Sequence, residues 1–458
     1  MTTSIAFAQE AWDSLRSALE ANLETAWILV ARRVVVSGSS DVSLLVREII
    51  NIPEESYLSR TDDRLSIATS GWLHAFARAQ RDESVPIFVH THPNGFRDHS
   101  ELDLQLDDEL ARVASVRTGA GFYGSLVLSG TVDTPVFVGR LKSPAQDWEP
   151  IDRLRVVGQR LTILTSTAEE APLPVFDRQV RAFGADGQRV LRQLRVGVVG
   201  AGGTGSAVIE QLIRLGIGSV VLIDPETLDE TNVTRVYGSG LSDVDAPKVE
   251  VAKSNAGRIG LGTDVDARRG TVVDRPVSEA LVHCDVVMGC TDDNAGRVVL
   301  TRFPHTMLQL LIDCGVVIDS REGVLFDIFA RVSVVTPTTA CLVCMGDVNL
   351  EAARSETLNE EERRGLAAEG YASELNTNAP SVVTFTTLAA SLAVNELLSR
   401  VLGYCEDDPA NRIVARIGNR SISRNRRPVR GTHRCGNIDS LAAGMQEPFL
   451  DYGWTNAG

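Results

Sequence analysis

The 458-residue sequence contains no apolar run approaching the ~20 residues a membrane-spanning helix requires. Its first ten residues hold no basic stretch, and Glu10 and Asp13 interrupt any apolar core, so this end does not read as a signal peptide. Cysteine is scarce: seven are present, none before Cys284. An odd, scattered set excludes a disulfide framework and points to a reducing, cytoplasmic setting. Positive charge is also short, with 45 Lys and Arg against 60 Asp and Glu and a net charge of −15. That balance weighs against nucleic acid as the main partner. The arginine run from Arg412 to Arg434 (Arg420, Arg424, Arg426, Arg427 and Arg430 among them) is a local exception. It reads as a solvated loop or as a patch facing an acidic surface. Internal repeats and low-complexity tracts are absent. With 43% hydrophobic residues, the length suggests two to three soluble domains.

What is present begins with His90-Thr-His92-Pro93, directly after the apolar run Val85–Val89, which reads as a buried strand. Strand side chains alternate, so His90 and His92 share a face and can grip one ion. Ser100 opens an acidic, helical segment with Asp103 in its first turn. Two imidazoles and one carboxylate leave a fourth position for water, the pattern of a catalytic zinc. Each piece alone has an ordinary reading: surface histidines, and a helix capping box at Ser100. Together they form H-x-H-P-x6-S-x2-D and resemble the JAMM (JAB/MPN) zinc isopeptidases. The resemblance implies an upstream glutamate on the first helix, assigned here to Glu24, with Glu48 as runner-up. Zinc makes water acidic near neutral pH. Glu24 would take the proton and return it to the leaving amine, and Ser100 Oγ would donate to the developing oxyanion.

Strands are expected at 34–37, 42–50, 122–129 and 135–141, and helices at 7–23, 67–80 and 102–116. Residues 142–150 and 169–174 are linker-like, with a connecting helix over 151–167. The domains implied are 1–145, a linker with a helix at 146–174, and 175–458.

From Arg195 the pattern becomes strand, glycine loop, helix, strand: Gly200-Ala-Gly-Gly-Thr-Gly205, then an apolar helix, then a strand ending at Asp224. Gly200, Gly202, Gly203 and Gly205 let the backbone approach phosphates at a helix N-terminus, and Asp224 is placed for a ribose hydroxyl. Asn232, Arg235, Lys248 and Thr291-Asp292-Asp293 follow, while Phe176-Asp-Arg178-Gln179 precedes. The set resembles the ThiF/MoeB-type adenylyltransferases, the core of ubiquitin-activating enzymes, over roughly 175–435. The fold expected is therefore α/β: a JAB/MPN-type α+β domain followed by a Rossmann-like ThiF adenylation domain.

That resemblance implies adenylation of the C-terminal carboxylate of a ubiquitin-like protein with ATP and Mg2+. Arg235, Asn232 and Lys248 would meet phosphates and Asp292 would serve magnesium. Arg178 would reach into the partner protomer of a homodimer. The family's D-C-T-D-N appears as Gly289-Cys-Thr-Asp-Asp293, so Cys290 reads as a motif residue rather than a nucleophile. Cys341 and Cys344 resemble half of a structural zinc site, whose second half is reduced to Cys435 with His433 as the fourth candidate ligand. Met345 to Tyr404 contains no cysteine, so no thioester nucleophile stands where activating enzymes usually carry one. Direct transfer from the adenylate, or use of Cys405 or Cys314, are the alternatives.

Both modules on one chain resemble fused proteins of bacterial ubiquitin-like conjugation operons, some acting in antiphage defence. That implies a modifier ending in glycine, trimmed or removed by one domain and activated by the other, with a separate conjugating enzyme. Processing and activation of a sulfur carrier for thiamin, molybdopterin or cysteine-type biosynthesis is the alternative. A ubiquitin-binding scaffold and a dinucleotide oxidoreductase are weaker.

Overall fold

A computed structural model describes residues 2–118, 121–144, 147–166, 171–358, 380–404, 410–430 and 433–451. The chain divides into two compact units: residues 1–169 with 441–449, and residues 170–440 with 450–458.

The first unit is built on a nine-stranded sheet. Its strands are β1 (Thr3–Ala8), β2 (Ala26–Val34), β3 (Val42–Asn51), β6 (Val85–Thr91), β7 (Tyr123–Gly130), β8 (Pro135–Lys142), β9 (Glu149–Pro150), β10 (Arg153–Val157) and β11 (Leu161–Thr165). They lie in the order β11-β10-β1-β3-β2-β6-β7-β8-β9, while β4 (Tyr57–Arg60) and β5 (Leu65–Ile67) form a separate hairpin. The alternation of β2 and β6 sorts their side chains onto two faces. Trp27, Leu29, Ile87 and Val89 pack with Trp12 and Leu15 of helix α1 (Gln9–Arg16). Ile28 and Phe88 point the other way, toward Phe76 of α2 (Ser70–Arg81) and Leu110 and Ala114 of α3 (Glu101–Thr118). The sheet is thus covered on both faces, and His90 shares the parity of Phe88, on the side of α2 and α3.

Several expectations fail here. Residues 151–167 were expected to form a connecting helix, but 153–157 and 161–165 are strands. β10 runs parallel to β1 and antiparallel to β11, with Leu154 and Val156 fully buried in the core. The β-branched, alternating sequence explains this better than a helical period does. The first unit accordingly runs past the expected boundary at 145 and also takes in residues 441–449. The expected helix at 7–23 begins as strand β1 and stays α-helical only over Gln9–Arg16, followed by a 3-10 turn at Ser17–Glu20. The strand expected at 34–37 ends at Val34, because the apolar run from Ala26 is itself β2.

The second unit is a Rossmann-like α/β domain. Its strands are β12 (Arg195–Val199), β13 (Ser219–Asp224), β14 (Asp264–Arg269), β15 (Val286–Gly289), β16 (Leu310–Arg321), β17 (Val324–Val335), β18 (Arg412–Arg416) and β19 (Ser421–Asn425). The order β14-β13-β12-β15-β16-β17-β18-β19 is parallel through β16 and antiparallel beyond. The main helices are α4 (Asp177–Gln193), α5 (Gly203–Leu215) and α6 (Lys248–Ile259), with a long apolar helix at Val383–Leu402. The charged stretch 351–369, whose composition predicts a helix, is described as helical over Leu350–Glu356. Its remainder, the stretch 371–379 and Cys405 lie outside the described residues. Among the described residues, no helix is long and apolar enough to cross a membrane.

Candidate functional site

In the first unit the two-histidine signature closes into a cluster. His90 Nε2 lies 3.0 Å from His92 Nε2. Asp103 Oδ1 is 3.2 Å from His90 Nε2, and its Oδ2 is 3.5 Å from His92 Nε2. His90 and His92 are buried, and the three ligand atoms fall within 4.8 Å of one another. Asp103 arrives from the first turn of α3, where Ser100 and Asp103 form a reciprocal capping box. Ser100 N–H donates to Asp103 Oδ2 (2.7 Å), and Asp103 N–H donates to Ser100 Oγ (3.2 Å). Ser100 Oγ accepts in that bond, so its own proton is left to be donated elsewhere.

The donor set fits a divalent transition ion. His92 Nδ1 lies 3.2 Å from the Phe96 carbonyl, which fixes the proton on Nδ1 and leaves the Nε2 lone pair facing the cluster. His90 Nδ1 is buried without a hydrogen-bond partner. Burial by itself would raise the Asp103 carboxyl, but the facing His90 and His92 side chains and the Ser100 N–H outweigh it and hold the group well below the ordinary carboxylate range.

Glu24 does not stand on a helix as expected. It is in the stretch just before β2, buried, with its Oε1 3.8 Å from His92 Nε2. The hairpin β4–β5 grips its main chain: Glu24 N–H donates to Thr61 O (2.9 Å), and Arg60 Nε donates to Glu24 O (2.6 Å). Burial raises its pKa against the opposing pull of His90 and His92. Glu48, the runner-up, is an exposed β3 residue paired with Arg78 (2.9 Å).

In the second unit a cavity of about 670 Å³ opens where the strand order reverses, between β12 and β15. This is the crevice in which open α/β sheets bind ligands. Gly200, Gly202 and Gly203 line it, together with Asp224, Arg235, Lys248, Asp292 and Arg297. Gly200 has φ +97°, and a Cβ there would meet the Cys290 carbonyl at 2.7 Å. Gly205 lies behind the cavity wall, where a Cβ would fall 1.8 Å from Gly200 O. Asp224 is buried and braces the loop by accepting from Ala201 N–H (2.6 Å) and Glu226 N–H (2.8 Å). Burial raises its pKa over the effect of those bonds. Lys248 is buried and ion-paired with Glu226.

Besides Gly205, two residues grouped with this site by sequence do not line the cavity. Asn232 is buried in the 3-10 turn Glu230–Thr234, where its Oδ1 accepts from Asp229 N–H (3.4 Å) and closes a capping box. Arg178 is exposed near the start of α4. Two other residues here, Glu356 and Asp313, carried no signal in the sequence. Glu356 accepts from Ala295 N–H (2.7 Å) and reaches the cavity. Asp313 lies between Arg297 (3.3 Å) and Arg331 (2.5 Å). Arg297 in turn donates to the carbonyl of Thr291 (2.7 Å), holding the loop that presents Asp292. Cys290 Sγ is 3.7 Å from Cys314 Sγ, and this contact together with burial pushes the Cys290 thiol up, away from a reactive thiolate.

Cys341, Cys344, His433 and Cys435 converge as a second potential metal cluster, again within 4.8 Å. Cys344 Sγ lies 3.6 Å from Cys435 Sγ, and His433 Nδ1 lies 3.4 and 3.3 Å from Cys341 and Cys435 Sγ. The hydrogen bond with Cys435 draws the Cys341 thiol down to about 5, so the cage favours a thiolate, the form that ligates metal. Three sulfurs and one imidazole suit tetrahedral zinc.

Residues 176–437 match the model of the ThiF family. The chain belongs to the ThiF family. Among curated relatives, the molybdopterin-synthase adenylyltransferase of Escherichia coli (strain K12) is 32% identical over 124 residues, 27% of this chain and 50% of that protein. The SAMP-activating enzyme E1 of Haloferax volcanii is 32% identical over 117 residues, 26% of this chain and 43% of that protein. The tRNA threonylcarbamoyladenosine dehydratase of Bacillus subtilis (strain 168) is 38% identical over 92 residues, 20% of this chain and 36% of that protein. The chain spans about half the length, or less, of these relatives. Among solved structures, E. coli MccB with MccA-N7isoASN aligns at TM-score 0.47 and 19% identity, over 58% of this chain and 76% of that one. The ThiF match begins at residue 176, so the His90/His92/Asp103 cluster lies outside it.

Proposed function

We propose that this ThiF-family chain is a two-activity enzyme acting on one kind of substrate, the C-terminal tail of a small ubiquitin-like carrier protein. The second unit adenylates the tail and the first cuts it. The observation that carries the first half is a single cavity gathering a glycine loop, Arg235, Lys248 and Asp292 at the point where the sheet reverses. In that cavity the N–H groups opening α5 and the two cations favour the phosphates of ATP, and Asp292 is the carboxylate for Mg2+. The carboxylate of the tail attacks the α-phosphorus, forming an acyl adenylate and releasing pyrophosphate. The names of the relatives, which include adenylyltransferases for molybdopterin synthase and the sulfur carrier ThiS, support this reaction. Arg178 is assigned the role of completing the site of a second protomer in a homodimer, which its exposure permits. Transfer onward is assigned to a separate conjugating enzyme that takes the tail directly from the adenylate, a route that needs no cysteine in the stretch Met345 to Tyr404, which holds none.

For the first unit the reading is a zinc isopeptidase of JAMM type, carried by the convergence of His90, His92 and Asp103 with buried Glu24 close by. Zinc held by those three residues would supply the Lewis acidity that makes water nucleophilic at neutral pH. Glu24 accepts the proton and delivers it to the leaving amine, a role suited to a carboxyl whose pKa burial has raised. Ser100 donates its proton to the oxygen that gains charge. The Cys341/Cys344/His433/Cys435 cage is assigned to a structural zinc.

A sulfur-carrier substrate is the second reading. It shares the adenylation step, and the ThiS- and molybdopterin-related relatives favour it. Pyrophosphate exchange with candidate carriers tests the adenylation: exchange that Asp292→Ala abolishes is expected, and no exchange with any carrier ending in glycine contradicts it. For the first unit, Glu24→Gln is expected to keep zinc but lose cleavage by about 10²–10⁴. Full cleavage by the zinc-loaded variant removes Glu24 from that role.

A further inference from the structure

Asp103 must face His90, on β6, and His92, just past its end, across the loop 92–100 that joins β6 to α3. Two buried polar side chains flank Asp103 and tie this stretch down. His99, just before α3, places its Nε2 3.1 Å from Ser125 Oγ. Asp107, one helical turn beyond Asp103 and 1% exposed, accepts from Tyr123 Oη (2.8 Å) and from Arg140 Nε and Nη2 (3.0 and 2.6 Å). His99 Nε2 also lies 3.9 Å from Asp107 Oδ2, so the two anchors form one network. Its far side is rigid: Tyr123 and Ser125 belong to β7, Arg140 to β8, and the Arg140 guanidinium sits 4.0 Å over the Trp148 ring. β7 is the parallel neighbour of β6, with His90 opposite Val127 and Phe88 opposite Ser125.

Burying an imidazole, a carboxylate and a guanidinium here is expensive, and apolar side chains of similar volume would hold a helix on a sheet at lower cost. What an apolar contact does not do is fix the helix along the strand direction; directional hydrogen bonds do. We propose that His99 and Asp107 are positioning residues that lock the first two turns of α3 onto β7 and β8. They thereby set the spacing between Asp103 and the two imidazoles, and with it the affinity of this cluster for a divalent transition ion. The inference rests on the metal reading of the cluster and names residues beyond its three ligands.

Zinc affinity of the full chain, measured by competition with a chromogenic chelator, tests it, with His90→Ala defining the signal from the other zinc site. His99→Ala and Ser125→Ala are each expected to weaken zinc by about 10- to 100-fold, while the metal-free proteins still melt cooperatively. His99→Gln keeps a side-chain amide within reach of Ser125 and is expected to restore the affinity. Wild-type affinity in His99→Ala overturns the positioning role. So does a loss that His99→Gln shares and that simply follows the stability of the metal-free protein. Equal zinc binding by wild type and His90→Ala would instead overturn the metal reading itself.

Discussion

Gly205 has no room for a side chain, since any Cβ would press on the carbonyl of Gly200 at 1.8 Å. Gly205→Ala should therefore cost about 1–3 kcal/mol or more and lower the melting temperature by several degrees, with loss of nucleotide binding, both readable in a thermal shift with and without ATP. His99 sets a pH limit of its own. Burial first, and Arg140 second, lower its pKa to about 4, against the pull of Asp98 and Asp103, and with His90 nearby adding to the decrease. The folded protein keeps His99 neutral while the unfolded chain takes up a proton near pH ~6.5, so stability falls as the pH drops from ~6.5 toward 4. The loss is on the order of 3 kcal/mol at its full extent. Denaturant unfolding should show a shallower acid limb in His99→Gln than in wild type; equal slopes would remove His99 from the account. Residues of this kind separate what the sequence tells from what it hides. His90, His92 and Asp103 stood out because metal chemistry demands those types at those spacings. His99 and Asp107 did not, because a buried polar network follows from packing between distant elements and leaves no local pattern.

At the scale of elements, glycine loops and capping boxes are written locally, so strand β12, helix α5 and the start of α3 are legible from composition and spacing alone. The stretch 151–167 is not. Its charged residues Arg153 and Arg155 suggest an exposed helix, yet both are buried in β10, whose hydrogen bonds to β1 join residues about 150 positions apart in sequence. Only the completed sheet settles that choice. Leu154 is fully buried in the same core as Trp12 and Leu44. Leu154→Ala should cost about 2–5 kcal/mol; a melting curve indistinguishable from wild type would show that β10 is peripheral to the first unit. The cavity in the second unit shows the same division. Its glycine loop, Asp224, Arg235 and Lys248 were readable in order along the chain. Asn232 stands among them in the sequence but does not line the cavity, and its side chain caps the turn Glu230–Thr234.

For the whole molecule, two potential metal clusters and one nucleotide-type cavity stand out among the described residues, and under the proposed function the pairing gives the first cluster its meaning. Metal analysis should find two zinc ions per chain, one lost in His90→Ala and the other in Cys344→Ala; a variant that loses both would show that the clusters are not independent. In the proposed function both units act on the same tail. The decisive experiment follows one carrier protein, made with residues extending beyond its terminal glycine, by intact mass during incubation with the full chain, zinc, magnesium and ATP. The extension should disappear first and the adenylate should then appear only on the trimmed form, with Glu24→Gln halting the sequence before either change. An adenylate on the untrimmed carrier, or a trimmed carrier that never becomes adenylated, would contradict it.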